Sequence, residues 1–528
     1  MTDGTGTRQY TYVPVGSQGA LQLQQESGPL PSSAVTSAYD ALGRLSQRTV
    51  QGAGAETFQY DAIGRLSVHT DDLGSFTLGY LGQTGQIASR QLASSTLATA
   101  WSYLTNTGDR RLAGIANTGL TAGQFSNFTY TTSPENFITG ITESSDASAV
   151  YPAAGSQTAT YNNLNQLTDL SGQALTFDAN GNLTSDGQRT YAWDAENRLV
   201  GIAYPGVSGK ATAFTYDGLG RRATISSTPP GGGSASVTSY LWCGPKICQA
   251  RNASSALIRS YYSEGEYLPG TPAQTLYYGI DQIGSVRRVF ASPSSAGAYS
   301  YDPYGSPLQA TAPTTDFVYA GMFLNADSGL YLTKYRAFDP VAGRWLSREP
   351  LGEAISASGN LYPYVSGQPI GARDPSGLLP QVPGFNQAIS DLLGRLPPLF
   401  PPASCAAPPG WQPPGIAPPS SIPNSSPMTG SGDSPASPDI DPADVAGKTP
   451  EEIDKIAKEK GLIQKGPDPM SGKGAYVDPV TGKQRILIHP GDDAHAHVND
   501  PSGQRLGPSG QVVAPESPEA HLPLNTSP

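Results

Sequence analysis

The sequence is poor in charged residues, in cysteine and in long apolar runs. Asp, Glu, Lys and Arg make up only 14% of its 528 residues, against 61 glycines, 48 prolines and 27 tyrosines. So little Lys and Glu is not typical of a helical enzyme, whereas frequent Tyr and Gly indicate many short strands joined by tight turns. The length is enough for two or more domains.

Further absences limit the functional classes. The net charge of −11 argues against a nucleic-acid-binding surface that extends over the whole chain. No run of about 18 apolar residues is present, so we expect no transmembrane segment. The first residues, MTDGTGTRQYTY, lack the basic and apolar regions of a Sec signal peptide. We therefore expect any export to use another machinery.

The three cysteines are too few for a disulfide framework. Cys243 and Cys248 stand close together in CGPKIC, whereas Cys405 stands alone. The close pair could bridge a short loop, but two separate thiols agree with the sequence equally well.

A short phrase recurs along the first half of the chain. YDALGRL begins at Tyr39 and YDAIGRL at Tyr60, and looser copies begin at 161, 177, 193 and 216. The phrase predicts a β-hairpin, in which the aromatic residue ends one strand, Asp opens the turn, and Gly or Asn takes a positive φ. One hairpin cannot bury its own face, so successive hairpins are expected to stack into a continuous sheet.

These repeats resemble the RHS/YD-repeat family over roughly residues 30–379. Residues 299–379 are similar to the family's core-associated region, with its RxxDPxxGR stretch, NLYxYV strand and final DPxGL. The resemblance implies a mainly β fold, in which the hairpin strip spirals into a hollow shell around a polypeptide cargo. We predict a repeat shell (1–298), a closing region (299–379), a proline-rich linker (380–440) and a small α+β tip (441–528).

The resemblance also implies that the shell cuts its own chain after DPxGL. The segment there is RDPSGLLP (373–380), here called the seam, and the predicted bond is Leu378–Leu379. Two carboxyl groups that share one proton can activate water and protonate the leaving amine, as in aspartic proteases. Mapped onto this sequence, the two acids are Asp374 and Glu349.

Glu349 departs from the family pattern, which has Asp at this position. Glu extends the reach by about 1.5 Å, and a misplacement on the order of 1 Å can slow catalysis roughly 100-fold. Arg348 and Arg373 each adjoin one acid, and either could hold it ionised. The purely structural interpretation is that Asp374 caps a turn and that Glu349 is a surface carboxylate.

Regular structure is predicted to return after the proline-rich linker, which should be extended or disordered apart from an amphipathic segment at 386–396. Thr449 and Pro450 predict the start of a helix that ends near Gly461. Strands are expected at about 474–478, 484–489, 495–499 and 511–513.

Histidine is concentrated in the tip, where His489, His495, His497 and His521 stand within the last 40 residues. His495 and His497 should point to one face of a strand, and His489 ends the neighbouring strand. With Lys473 or another cation, three of these imidazoles could cleave a phosphodiester by general acid–base catalysis without a metal. We therefore predict His489, His495, His497 and Lys473 as catalytic residues, with no cofactor.

Two other interpretations of these histidines stay open. An HxH pair could bind a divalent metal together with nearby aspartates such as Asp492, Asp493 or Asp500. The histidines could also be ordinary exposed strand residues.

In the RHS/YD-repeat family, the segment beyond DPxGL is the toxin of an interbacterial weapon, and the tip loosely resembles small RNase-type toxin domains. The resemblance predicts a shell that encloses and releases an RNase acting on RNA in the target cytoplasm. It also implies a cognate immunity protein and delivery without a Sec signal by a contact-dependent, type VI secretion apparatus. The alternatives are a cell-surface carbohydrate or adhesion protein with an inert tail, and a tip that is a metal-dependent DNase.

Overall fold

The computed structural model describes residues 1–292, 296–352, 359–378, 380–381, 440–471, 473–478, 483–489, 494–500, 504–514 and 517–525. It divides the chain into two compact units, Met1–Ala406 and Ala407–Pro528, which we treat separately. The predicted linker and its amphipathic segment lie almost entirely outside the described residues. Among those residues, no helix has the length and apolar character needed to span a membrane.

The first unit consists of antiparallel strands, which confirms the prediction of a mainly β fold. The strands of its first part are β1 (Thr2–Asp3), β2 (Gly6–Thr7), β3 (Gln9–Tyr12), β4 (Leu23–Ser27), β5 (Val35–Tyr39), β6 (Leu45–Val50), β7 (Ala55–Tyr60), β8 (Leu66–Asp71), β9 (Gly74–Tyr80), β10 (Ile87–Leu92), β11 (Ala98–Tyr103), β12 (Leu112–Thr118), β13 (Phe125–Thr132), β14 (Ile138–Ser145), β15 (Ala159–Tyr161), β16 (Leu167–Leu170) and β17 (Gln173–Ala174).

The strands of its second part are β18 (Thr176–Phe177), β19 (Leu183–Ser185), β20 (Thr190–Trp193), β21 (Leu199–Ala203), β22 (Ala211–Tyr216), β23 (Arg222–Thr228), β24 (Ser236–Cys243), β25 (Lys246–Arg251), β26 (Leu257–Tyr261), β27 (Gly265–Leu268), β28 (Gln274–Ile280), β29 (Val286–Ser292), β30 (Gly297–Tyr301), β31 (Pro307–Ala310), β32 (Phe323–Asn325), β33 (Leu330–Leu332), β34 (Ala337–Asp339) and β35 (Arg344–Trp345). Short 3-10 helices span Asn106–Gly108, Tyr319–Gly321 and Val365–Gly367.

These strands pair almost entirely with their neighbours in sequence. Within the described residues, β3–β14 form a 12-stranded sheet and β18–β31 form a 14-stranded sheet. β15–β17 and β32–β35 form smaller sheets of the same kind. The result is a long strip of hairpins, as the repeats predicted.

The first YDALGRL copy forms the predicted hairpin. Tyr39 ends β5 and Leu45 begins β6. Between them, Asp40 Oδ1 accepts a hydrogen bond of 2.9 Å from the backbone N–H of Arg44, and Arg44 Nε donates to Asp40 Oδ2 at 2.6 Å. Gly43 has a φ of +72°, a left-handed conformation that glycine adopts without steric cost.

The repeat tyrosines join each of these hairpins to the preceding one. Tyr60 donates its hydroxyl to Leu45 O at 2.8 Å, and Tyr80 donates to Leu66 O at 2.7 Å. The Arg44 guanidinium lies 4.3 Å from the centre of the Tyr60 ring, a cation–π contact. The same tyrosine bond recurs at Tyr103, Tyr216 and Tyr301. The repeat tyrosines therefore have a structural role.

The strip also packs against its own earlier part. Arg221 Nη2 donates to Glu26 Oε1 at 2.5 Å across a sequence separation of 195 residues. The Tyr277 hydroxyl donates to Leu73 O at 2.8 Å across 204 residues. These bonds join parts of the strip that lie about 200 residues apart in the chain. The strip is therefore coiled, in agreement with the predicted spiral.

A buried charged cluster occupies one of these self-contacts. His69 Nδ1 lies 3.1 Å from Glu264 Oε2, and its Nε2 lies 2.9 Å from Glu56 Oε1. Burial disfavours a charged imidazole, but the two carboxylates outweigh it and raise the pKa of His69 to about 10. Burial, together with Glu264, raises the pKa of Asp71 to about 8. At neutral pH, His69 is therefore a buried cation.

The closing region carries an aromatic core beneath the seam. Tyr331, Phe338, Trp345 and Tyr364 are all buried in one cluster. The ring centres of Phe338 and Tyr364 lie 4.6 Å apart. Ala372, directly before the seam, packs in the same cluster, so this core positions the start of the seam.

The two neighbouring cysteines, for which the sequence allowed a bridge or separate thiols, form a disulfide. It joins Cys243 to Cys248 across the turn between β24 and β25.

The second unit has the predicted α+β composition. Its elements are α1 (Pro450–Glu459), β36 (Ile463–Asp468), β37 (Lys473–Val477), β38 (Gln484–His489), β39 (His495–Asn499), β40 (Arg505–Leu506) and β41 (Leu522–Pro523), with 3-10 helices at Pro442–Asp444, Pro469–Ser471 and Pro518–Ala520. The predicted helix start is confirmed, because the hydroxyl of Thr449 accepts from Glu452 N and the Glu452 carboxylate accepts from Thr449 N, a capping box.

The strand predicted at 511–513 is wrong, and one strand was missed. Val512 makes only an isolated bridge to Leu506. The missed strand, β36, contains the pair Gly466–Pro467, which in a sequence is typical of a turn. The ladder there is irregular between Lys465 and Asp468, so the strand tolerates the pair.

Raising the pH should destabilise the first unit through His69. The pKa of His69 is about 10 in the folded protein and about 6.5 in the unfolded chain. The stabilising contribution of His69 is therefore complete below about pH 6.5 and is lost as the pH rises toward 10. Asp71, also raised, acts in the same direction. We expect calorimetry to show a lower Tm for this unit at about pH 9.5 than at about pH 6.

His69→Gln is the matched variant, because it removes the buried cation. It should lower the free energy of unfolding by about 3–5 kcal/mol at neutral pH. The Tm of the variant should also fall less than that of the wild type over this pH range. A variant whose Tm falls as steeply as that of the wild type would contradict the role of His69.

Candidate functional sites

The two predicted cleavage acids lie on either side of an arginine. Arg336 Nη2 lies 2.6 Å from Glu349 Oε2 and 3.4 Å from Asp374 Oδ2. None of the three side chains is more than 10% exposed. The structure thus brings the two acids together, and Glu349 is not a surface carboxylate.

Asp374 organises the turn that contains the predicted bond. Its Oδ1 accepts hydrogen bonds from the N–H of Gly377 at 2.8 Å, the N–H of Leu378 at 3.1 Å and the hydroxyl of Ser376 at 3.0 Å. The carboxylate therefore contacts the residue that supplies the carbonyl of the predicted bond. Leu379, which supplies the nitrogen, lies outside the described residues.

The chain on either side of this turn forms a narrow antiparallel loop. The backbone N–H of Arg373 donates to Gln381 O at 2.9 Å, and Gln381 N donates to Arg373 O at 2.6 Å. Arg336 holds the turn from the other side, because its Nε donates to Gly377 O at 2.7 Å. A cut after Leu378 would leave the pairing of Arg373 with Gln381 in place.

The role of Arg336 was not predicted from the sequence. The sequence suggested Arg348 and Arg373, because each adjoins an acid. Arg348 is exposed, and Arg373 directs Nη1 to the carbonyl of Ile283 at 3.3 Å. Arg336 stands 38 residues before Asp374, and its only signal was its position at the start of the RxxDPxxGR stretch.

The surroundings of Glu349 favour its protonated form. Burial raises the pKa of Glu349, although Arg336 opposes the shift. Burial also lowers the pKa of Arg336, against the pull of both carboxylates. Two carboxylates and one guanidinium would leave an uncompensated negative charge in a buried site, which protonation of one carboxyl removes. Glu349 is suited to carry that proton.

The tip contains a histidine cluster, made of His489, His495, His497 and His521. His489 and His495 are direct partners in the β38–β39 ladder, and their ring centres lie 4.9 Å apart. The His497 ring lies 5.1 Å from His489 and 4.9 Å from His495. His521, just before β41, lies 4.7 Å from both His495 and His497.

The structure brings three of the four predicted tip residues together and adds one. Lys473 begins β37, but its side chain lies outside the described residues, as do Asp492 and Asp493. His521 was not among the predicted catalytic residues, because only the pairing of β41 with β39 brings it to the cluster.

Hydrogen bonds to the backbone fix the orientation of two of these rings. His497 Nδ1 lies 2.7 Å from Ala520 O, and His521 Nδ1 lies 2.9 Å from Ser517 O. A carbonyl oxygen only accepts, so each Nδ1 must carry a proton. In the neutral ring, the lone pair is therefore at Nε2.

The surroundings keep two of the rings neutral. Burial lowers the pKa of His497 to about 4, with Arg505, His495 and His489 acting in the same direction against the bond to Ala520. Burial and the neighbouring charges also lower the pKa of His489. A neutral imidazole can accept a proton or bind a metal ion.

Two protein-family models match the chain. The RHS Repeat model matches residues 39–75, which include the YDAIGRL hairpin, and the Teneurin YD-shell model matches residues 146–365. The chain is an RHS/YD-repeat protein.

Curated relatives of this RHS/YD-repeat protein are much longer. The tRNA3(Ser)-specific nuclease WapA of Bacillus spizizenii is 30% identical over 233 residues, which are 42% of this chain and 10% of WapA. The toxin subunit YenC1 of Yersinia entomophaga is 28% identical over 296 residues, which are 52% of this chain and 27% of YenC1. The matches thus span a tenth to about a quarter of these relatives.

Among solved structures, the Photorhabdus luminescens Tc holotoxin pore has a TM-score of 0.50 to this chain. The match covers 71% of this chain and 23% of that one, at 19% identity. At 19% identity, the similarity shows a shared fold and nothing more.

Gly377→Ala should loosen the turn at the seam of the RHS/YD-repeat protein. An added Cβ would overlap Thr333 Oγ1, and a φ of +79° is unfavourable for any residue with a Cβ. We expect the free energy of unfolding of the first unit, measured with denaturant, to fall by about 1–3 kcal/mol.

Gly371→Ala is the control in the same loop, because its added Cβ meets no atom within 4 Å. It should change stability by less than about 0.5 kcal/mol. Equal effects of the two substitutions would show that the turn is not constrained as described.

Proposed function

We propose that this chain is a toxin whose RHS/YD-repeat shell cuts off its own C-terminal effector at Leu378–Leu379. The observation that carries the proposal is the buried Glu349–Arg336–Asp374 cluster, in which Asp374 accepts a hydrogen bond from Leu378. The similarity to a toxin subunit and to a tRNA nuclease supports the toxin class. The adhesion alternative offers no reason for two buried acids at the seam.

The proposed cleavage uses the two acids in different roles. Asp374 removes a proton from a water molecule, whose oxygen attacks the carbonyl carbon of Leu378. Glu349, protonated, then gives its proton to the nitrogen of Leu379 as the C–N bond breaks. The products are a carboxyl group on Leu378 and an amine on Leu379. Arg336 holds both acids and the carbonyl of Gly377 in position.

The tip is the proposed effector, and RNA is its proposed substrate. One neutral imidazole of the histidine cluster removes the proton of a ribose 2′-OH, and a second, protonated imidazole gives a proton to the leaving oxygen. His497 suits the first role, because its lone pair at Nε2 is fixed by the bond to Ala520. Lys473 is the proposed cation. The name of the WapA relative supports a nuclease.

Delivery and protection complete the proposal. The family resemblance supports contact-dependent delivery, through a type VI apparatus, into the cytoplasm of a target cell. A cognate immunity protein would block the tip in the producing cell.

Asp374→Asn and Glu349→Gln should each abolish self-cleavage, because each removes one partner of the shared proton. The wild-type chain should give two fragments on a denaturing gel, and N-terminal sequencing of the smaller one should start at Leu379. Asp302→Asn is the matched control, since Asp302 caps the Asp-Pro turn at 302–305 with similar backbone bonds but lies outside the seam. Cleavage that persists in Asp374→Asn would refute the mechanism.

Expression of residues 440–528 should arrest bacterial growth and degrade RNA, because these residues have their own apolar core. The double variant His495→Ala, His497→Ala should lose at least about 100-fold of the RNase rate. Lys455→Ala, on the exposed face of α1, should keep it. Intact RNA with degraded plasmid would favour the DNase alternative, and no effect on either would favour an inert tail.

A further inference from the structure

We infer that the histidine cluster of the tip binds one divalent transition-metal ion of the Zn²⁺ class. The sequence favoured metal-free catalysis at these residues and left a divalent metal at the HxH pair open as an alternative. The inference extends the proposed function. The catalytic role of the ion rests on that function, whereas the binding of the ion does not.

The rings already lie at a separation that suits one ion. Single ligand nitrogens of His489, His495 and His497 all lie within 4.8 Å of one another. Zn–N bonds of about 2.0–2.1 Å in a tetrahedron would place such nitrogens about 3.4 Å apart. The three nitrogens therefore lie at most about 1.4 Å beyond that separation. The ring centre of His521 lies 4.7 Å from those of His495 and His497, so His521 borders this set of ligands.

The hydrogen bonds of the cluster are those of metal-binding histidines. Such histidines usually donate their second ring N–H to a carbonyl or carboxylate, which fixes the ring and the nitrogen that binds the metal. His497 and His521 both do this through Nδ1, to Ala520 O and Ser517 O. The backbone of a single short segment, 517–521, thus orients both rings.

The backbone also makes the site rigid and accessible from one side. β38 and β39 hold His489 opposite His495, and β41 pairs with β39 through His495 and Pro523. His497 is buried, His495 and His521 are partly buried, and His489 is exposed. An exposed ligand at the rim lets a water molecule or a phosphate approach the ion, as in a catalytic rather than a structural site.

The ligand chemistry selects the metal. Imidazole nitrogens suit Zn²⁺, Cu²⁺, Ni²⁺ and Fe²⁺, whereas Mg²⁺ and Ca²⁺ prefer oxygen ligands. In an RNA-cleaving tip, His497 would then be a ligand of the ion and not the general base, and the ion would act as a Lewis acid on the phosphate.

Metal binding is to be measured on the untagged full-length chain, stripped with a chelator and titrated with ZnCl₂ in a calorimeter. Substitution by Co²⁺ gives an independent readout, because tetrahedral coordination by nitrogen has a visible absorption band. We expect one ion per chain, and at least a 100-fold loss of affinity in His495→Ala, His497→Ala. Saturating ZnCl₂ should also raise the Tm of the second unit in the wild type only.

His69→Gln is the matched control, because His69 is the one histidine outside the tip. It should leave the stoichiometry and affinity unchanged. Loss of the ion in His69→Gln would place it in the shell and overturn the inference, as would a wild type that binds no Zn²⁺ or Co²⁺. The Tm of the double variant in chelator shows whether its tip is folded, and His521→Gln provides a milder variant, for which we expect a loss of about 10-fold or more.

RNA assays on the same samples separate the two proposals. Zn²⁺ binding with intact RNA would uphold the metal site and refute the RNase proposal. RNA cleavage at an unchanged rate in chelator, with no Zn²⁺ bound, would uphold the RNase proposal and refute the metal site.

Discussion

The pairing of each hairpin with the preceding one, through a backbone ladder and the hydrogen bond of a repeat tyrosine, is the interaction on which the first unit depends. A hairpin capped by Asp40 and Gly43 is a local unit that cannot bury its own face. The β6–β7 ladder and the bond from Tyr60 to Leu45 O join it to its neighbour, and repetition of this pairing extends the strip. Because the strip is long, it can return and pack against its own earlier part, as Arg221 does with Glu26.

In the closing region, packing of the chain brings Glu349, Arg336 and Asp374 together in a buried site. Two carboxyl groups that are buried together disfavour full ionisation, and Arg336 holds them close without neutralising both. The same arginine grips the turn at Gly377. After a cut, the backbone pairing of Arg373 with Gln381 would remain across it, but two hydrogen bonds contribute only about 1 kcal/mol each.

Sequence reasoning succeeded where a feature is local. The hairpin at Tyr39, the capping box at Thr449 and the facing pair His495 and His497 each follow from a few adjacent residues. It failed where the partners meet only after folding. Arg336 reaches Asp374 from 38 residues away, and His521 joins the cluster through a short strand that no pattern marks. The strand at Ile463–Asp468 was missed because its Gly-Pro pair is locally typical of a turn.

The central claim is that the shell cuts its own chain. Mass spectrometry of the purified wild-type chain under denaturing conditions tests this most directly. The account predicts two polypeptides, one that ends at Leu378 and one that begins at Leu379, whose masses add up to that of the intact chain plus one water. A single intact polypeptide under denaturing conditions would contradict it.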